Sequence, residues 1–287
     1  MPLPVPSLLS AFFHTLKYPP TKTLPKPLVQ KTFESGYFWL LTFCWSLGAG
    51  VLVGLFPQAG ENAVLEGLNE FEIGFALFGI GYASIYEELT FRAFLRGSKL
   101  GLGFGIGFWA WFWLVSVGEI SIFTRLSAAP GLGGILDTFV LPFLLGGLSV
   151  LCLQIQAFFT FLQKAQRQHR RFLLWLSIVT FAWIHALNFA DVLDFWYLTP
   201  LLTLPQLIIG LTLSVVRLRY GLGYAIFIHA LNNAFGIALA SLLLRATSQA
   251  DLGLIALGVG LLGLFFLGSI GVNVHALVRF YQAKTRS

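Results

Sequence analysis

Charged residues are scarce in this chain. Asp, Glu, Lys and Arg make up only 10% of its 287 residues, whereas soluble domains carry roughly 25%. Hydrophobic residues make up 57%, and the mean hydropathy is +0.80. So little polar surface cannot cover an apolar interior of that size, so lipid must cover much of it. The composition therefore argues against a soluble globular protein and predicts an all-α, polytopic membrane protein.

Several familiar signatures are also missing. The two cysteines, Cys44 and Cys152, both lie in apolar runs and do not suggest a disulfide framework. The first residues, "MPLPVPSLLSAFF", lack a basic n-region and contain three prolines, so no cleavable signal peptide is predicted. We expect residues 7–18 to form a short interfacial amphipathic helix. The chain has no HExxH, GxSxG or cysteine-nucleophile motif.

Long apolar runs dominate what is present. A membrane-spanning helix needs about 20 mostly apolar residues. On that scale the sequence predicts one integral domain over 37–280, preceded by a basic, proline-rich segment 1–36 and followed by a tail 281–287. Its eight predicted spans are 37–57, 71–96, 102–124, 135–162, 172–190, 198–216, 222–244 and 252–278.

The distribution of charge sets the orientation. Basic residues collect on the cytoplasmic side of membrane proteins, and four lysines precede the first span. With both termini cytoplasmic, inner loops and the tail hold nearly all remaining basic residues, while most acidic residues fall at outer ends, including Glu119 and Asp137, where we expect water to reach them. The net charge of +6 therefore indicates a lipid bilayer as partner and not nucleic acid. The pattern fits a bacterial plasma membrane or an organelle membrane of bacterial descent.

A few strongly polar groups remain at predicted membrane depth, where they are costly. They are Glu87, Glu88 and Arg92 in "IYEELTFRAFLRG", His185 and Asn188 in span 5, and His229, Asn232 and Asn233 in span 7. Glu88 and Arg92 are four residues apart, so they share a helix face and are predicted to pair. Glu87 is rotated about 100° from Glu88. His229 and Asn233 also share a face.

This set suits hydrolysis. A carboxylate beside an imidazole can deprotonate a water molecule, and a second imidazole with an amide can donate to the oxyanion that forms at a carbonyl. Alternatively Glu87, His185 and His229 bind zinc, since two histidines and a glutamate form a catalytic zinc set. A non-enzymatic alternative also stands, in which a membrane scaffold, chaperone or transport component uses the same groups for helix packing or partner binding.

Three short motifs carry a resemblance to a known family. They are EExxxR in "EELTFR" (Glu87, Glu88, Arg92), FxxxH in "FAWIH" (Phe181, His185) and HxxxN in "HALNN" (His229, Asn233). In this order, and each inside a predicted span, they resemble the CPBP intramembrane proteases, also called the Abi or CAAX-protease family. That family includes the eukaryotic Ras-converting CAAX endopeptidase. The resemblance covers about residues 71–245.

The resemblance implies a site and a reaction. Glu87 would be the catalytic base, acting with His185 on water in a cavity inside the bundle, and His229 and Asn233 would form the oxyanion hole. Glu88, Arg92 and Phe181 would shape the site. The implied activity is cleavage of a membrane-associated protein or peptide, CAAX-like and prenylated or of bacteriocin type. It implies a glutamate-based mechanism with no cofactor, and zinc stays the alternative.

Overall fold

Helices make up the part of the chain that the structure describes. The computed structural model describes residues 5–20, 22–54, 78–117, 136–189 and 196–245, and these contain no β-strand. The all-α prediction is confirmed there. The chain divides into two compact units: the first comprises residues 1–84 and 175–287, and the second comprises residues 85–174.

The helices differ widely in length, and several end in tighter or wider turns. A π-helical segment, Phe78–Ala83, leads into α3, and a 3₁₀ turn, Ala93–Leu95, follows it. In chain order the helices are α1 (Val5–Lys17), α2 (Leu28–Gly54), α3 (Ser84–Arg92), α4 (Lys99–Trp111), α5 (Leu141–Cys152), α6 (Gln156–Gln168), α7 (Arg170–Ile184), α8 (Thr199–Leu202), α9 (Leu204–Arg219) and α10 (Leu222–Arg245).

Two helical stretches are long and apolar enough to cross a membrane, Arg170–Asn188 and Leu222–Leu239. The number rises to four if each of two bent helix pairs forms one span. These four stretches coincide with the predicted spans 172–190, 222–244, 135–162 and 198–216. Three other predicted spans, 37–57, 71–96 and 102–124, are described only in part, and 252–278 lies outside the described residues.

The two bent pairs depart from straight predicted spans. Leu136–Cys152 and Gln156–Gln168 meet at 107°, and Trp196–Leu202 and Leu204–Arg219 meet at 49°. Pro205 explains the smaller bend, because its ring removes an N–H and clashes with the preceding turn. The larger bend has no proline; Ile155 is extended between the two helices. Span 135–162 is therefore two helices of different direction.

In the first unit, α1 packs on the bundle through its apolar side. Leu8 is fully buried in a cluster with Phe38 of α2 and Leu213, Val216 and Ile228 of α9 and α10. Leu16 is also buried. The amphipathic helix predicted at 7–18 is present, but part of its apolar face covers protein.

A buried carboxylate fastens the segment that follows α1. Glu34 is fully buried and accepts hydrogen bonds from Lys26 Nζ at 2.6 and 2.7 Å, from Gln30 at 2.9 Å and from the Tyr220 hydroxyl at 2.6 Å. Burial alone would raise the pKa of Glu34, but these donors outweigh it and lower that pKa. Burial, and then the bond to Glu34, raises the pKa of Tyr220. Arg219 donates to Thr15 Oγ1 at 3.2 Å, so α1 and α2 are tied to the end of α9.

The second unit is built on close packing of α4 against α5. Four glycines of α4 are buried, Gly101, Gly103, Gly105 and Gly107, and Gly107 lies directly against the backbone of Gly146. Trp111 donates through Nε1 to the backbone oxygen of Asp137 at 2.6 Å. Asp137 is only 3% exposed, which corrects the expectation that water solvates it. Glu119 lies outside the described residues.

Candidate active site

The end of α7 positions His185. The α-helix stops at Ile184 and continues as a 3₁₀ turn over His185–Asn188. His185 Nδ1 lies 2.7 Å from the carbonyl oxygen of Phe181. A carbonyl oxygen can only accept, so Nδ1 carries the proton in this bond, and a neutral imidazole then presents Nε2 as an acceptor. That tautomer is the one that general-base chemistry at Nε2 requires.

Phe181 lies between the two histidines of the second and third motifs. Its ring is fully buried, with its centroid 4.6 Å from the His185 ring and 5.9 Å from the His229 ring, the latter edge-on. His229 lies in α10 and is 3% exposed. The described first unit therefore brings the FxxxH and HxxxN motifs together, and Phe181 fixes the spacing of both imidazoles.

Asn233 lies one turn after His229 in α10, and its amide is held from outside that helix. Its Nδ2 donates to Ser84 Oγ at 3.1 Å, and Ser84 is fully buried. A carboxamide nitrogen has two N–H donors. The bond to Ser84 uses one of them and fixes the plane of the amide, so the direction of the other is fixed too.

Ser84 was not among the residues that the sequence predicted for the site. It is the first residue of α3, three residues before Glu87. The signal in the sequence is faint: a small hydroxyl one turn before the two glutamates. Serine is also common at helix N-termini for reasons of capping alone, so this signal does not by itself indicate a functional residue.

The first motif lies in the second unit, on α3. Arg92 Nη1 donates to Glu88 Oε1 at 2.5 Å, and both side chains are fully buried. This confirms the pairing predicted from their spacing. Arg92 is attracted by Glu88 and, more weakly, by Glu87. Glu87 is half-buried and points about 100° away from Glu88 around the helix.

Two glutamines of α6 hold the chain that leaves α3. Gln166 Nε2 donates to the carbonyl oxygen of Leu95 at 2.8 Å, and Gln163 Nε2 donates to that of Gly97 at 2.9 Å. Carbonyls at a helix end lack intrahelical partners, so these side chains satisfy them. The sequence prediction missed both glutamines because it ended the span at residue 162 and placed them in the inner loop that follows.

An apolar cavity of about 400 Å³ lies beside α7 within the first unit. It is bounded by Val179, Ala182 and Trp183 of α7, by Trp196 and Tyr197, and by residues of α8 and α9. Ala182 directly follows Phe181 in the chain, so the cavity borders the helix that carries His185.

Within the described part of either unit, no group of three His, Cys, Asp or Glu side chains could hold a metal ion. The zinc alternative of Glu87, His185 and His229 draws on residues of both units and stays a prediction. No protein-family model, curated protein or solved structure matches this chain. The family resemblance therefore stays a prediction that rests on the three motifs.

Proposed function

We propose that this chain is an intramembrane endopeptidase of the CPBP type, with eight spans. Glu87 is the base that activates water together with His185, and His229 and Asn233 donate to the oxyanion of the tetrahedral intermediate. Glu88, Arg92 and Phe181 position these groups. Water adds to the peptide carbonyl, its proton passes through Glu87 to the leaving amine, and the C–N bond breaks.

One observation carries most weight in support. Phe181 contacts both motif histidines, although His185 and His229 lie 44 positions apart in sequence. The surroundings of each imidazole also suit its proposed role. Phe181 O accepts from Nδ1 of His185, which suits a base partner, and the buried position of His229 suits a donor that acts away from water.

The substrate is a membrane-associated protein or peptide, CAAX-like and lipidated or of bacteriocin type. The cavity beside α7 suits an apolar group of such a substrate, since aromatic and aliphatic side chains form most of its wall. The proposed mechanism uses no cofactor; zinc bound by Glu87, His185 and His229 is the alternative, in which the metal would polarise the water.

Quantitative proteomics of membrane-protein termini tests the proposal. Wild type is compared in its native host with Glu87→Ala, Glu87→Gln and Asn233→Ala, and with Asn232→Ala as a matched control on the adjacent residue. We expect at least one peptide terminus present in wild type and Asn232→Ala and lost in the other three. Identical termini in all strains, with every protein present at normal levels, would refute the peptidase.

The scaffold alternative draws support from the fully buried Glu88–Arg92 pair, since such pairs also serve only helix packing. It predicts that Glu87→Gln, which keeps shape and hydrogen bonding but removes the base, leaves the cellular phenotype intact. A phenotype lost in Glu87→Gln at normal protein level would count against it.

A further inference from the structure

Helix α6 in the second unit turns two glutamines inward and two phenylalanines outward. Gln163 and Gln166 point inward, to the carbonyls of Gly97 and Leu95, and Gln166 is 8% exposed. Phe158 and Phe161 point outward, at 43% and 66% exposed. Exposed phenylalanines on a helix whose inner side is occupied by these two glutamines call for an apolar environment on the outer side.

The bend before α6 sets its direction relative to the preceding helix. Leu136–Cys152 contains about 17 helical residues, which is near the lower limit for a membrane span and rises roughly 25 Å. Since α6 leaves it at 107°, a helix that follows a membrane-crossing Leu136–Cys152 runs nearly parallel to the membrane surface.

Basic side chains border the phenylalanines on the exposed side. Lys164 and Arg167 are both exposed, and they are three residues apart, as are Phe158 and Phe161. On a helix of 3.6 residues per turn the two pairs form adjoining stripes. Arg170 and Arg171 follow directly, and no acidic residue occurs between Asp137 and Asp191.

We propose that α6 is an interfacial helix that binds anionic phospholipid headgroups at the cytoplasmic surface of the membrane. Phe158 and Phe161 enter the boundary of the acyl chains, and Lys164 and Arg167, with Arg170 and Arg171, contact the phosphate groups. The inference requires that the chain lies in a membrane, as its composition predicts, and does not depend on peptidase activity.

The same helix joins the lipid surface to the first motif. Its inner glutamines bind the carbonyls that follow α3, so a change in how α6 sits on the lipid surface reaches the segment after Arg92 through two hydrogen bonds. Lys99, at the start of α4, also contacts this region: its Nζ lies 5.3 Å from the ring centroid of Phe159 in α6 and 3.3 Å from Gln154 Oε1.

Native mass spectrometry of the full-length protein tests headgroup binding. The protein is purified in micelles with equal amounts of phosphatidylglycerol and phosphatidylcholine. We expect wild type to retain phosphatidylglycerol preferentially. We expect Lys164→Gln/Arg167→Gln to lower its association constant by roughly thirtyfold, with phosphatidylcholine unchanged.

Lys17→Gln/Lys22→Gln is the matched control, because it removes two exposed positive charges from a different unit. An equal loss in both double variants, or no lipid preference in wild type, would overturn the proposal, since net charge alone or no charge effect would then explain the result.

A nitroxide probe tests the placement of the helix independently. In a Cys44→Ala/Cys152→Ala background, a label at Phe161→Cys in phosphatidylglycerol-containing nanodiscs should collide more with oxygen than with a water-soluble nickel chelate. A label at Thr160→Cys, an exposed position rotated about 100° from Phe161 toward the Arg167 side of α6, should show the opposite preference. Water-like values at both positions would refute an interfacial α6.

Discussion

Packing of α4 on α5 offers a quantitative test of the second unit. A Cβ atom added at Gly107 would meet the backbone nitrogen and Cα of Gly146, with the carbonyl carbon of Leu145 at 2.5 Å. Carbon atoms pack at about 3.5–4.0 Å, and backbone cannot swing aside as a side chain can. The two helices would have to separate by about 1 Å.

The expected cost follows from two opposing effects. Overpacking a well-fitted contact costs about 1–3 kcal/mol, while alanine gains up to about 1 kcal/mol over glycine in a helix. Gly147 supplies the control, since a Cβ there meets nothing within 4 Å. Gly147→Ala should therefore be neutral or stabilising. We expect Gly107→Ala to be about 2 kcal/mol less stable than Gly147→Ala, which is a roughly thirtyfold difference in the unfolding equilibrium constant.

Gly146→Ala should fall between them. Its added Cβ meets the Phe104 ring at 2.5 Å, and a side chain can turn away. Unfolding of the purified protein in detergent, followed by circular dichroism with increasing SDS, measures the three variants. Equal midpoints for Gly107→Ala and Gly147→Ala would refute the close approach of the two backbones.

Two other predictions concern the first unit. Lys26→Met should destabilise the protein by about 3 kcal/mol, because it leaves Glu34 buried without its main cation. Folding lowers the pKa of Glu34, so the stability that ionised Glu34 contributes is present above its unfolded pKa and is lost as pH falls through its folded pKa. Glu34→Gln should therefore flatten the acid side of a Tm-versus-pH curve. An unchanged acid slope would contradict that. If the proposed peptidase activity holds, Ser84→Ala should reduce cleavage about ten- to a hundredfold, at nearly unchanged Tm, because it releases the Asn233 amide. The control Thr90→Val removes a hydroxyl that, within the described residues, bonds only to Tyr86 O, and it should leave cleavage unchanged. Equal effects of the two variants on cleavage would refute the role of Ser84.

Contacts within one helix could be predicted from the sequence. The Glu88–Arg92 pair follows from a four-residue spacing, since side chains four apart share a face. The closeness of Phe181 and His185 follows in the same way. The second and third motifs were grouped by predicted membrane depth and by the family resemblance, and the structure supplies Phe181, the residue that both histidines contact.

Contacts between helices could not be predicted from the sequence. Apolar spans give the depth of a residue in the membrane but not the direction in which its side chain points. The spacing of residues along the chain therefore does not predict the bond between Ser84 and Asn233. Hydropathy averaged over 20 residues also hides a change of direction, and the phenylalanines and leucine of 156–162 extended the apolar run into α6. Hence 135–162 was predicted as one span, and its end, from Gln156 onward, belongs to a separate helix.

The Glu34 site has a consequence for synthesis. Tyr220, which donates to Glu34, lies 186 residues further along the chain. At about 5–20 residues per second the ribosome takes roughly 10–40 s to make that stretch. During this time Glu34 has only its local partners Lys26 and Gln30, and α1 has no α9 to pack on. The segment of α1 and Glu34 is therefore made well before the partners that complete its packing, and any fragment ending before Arg219 lacks the bonds from Arg219 to Thr15 and from Tyr220 to Glu34.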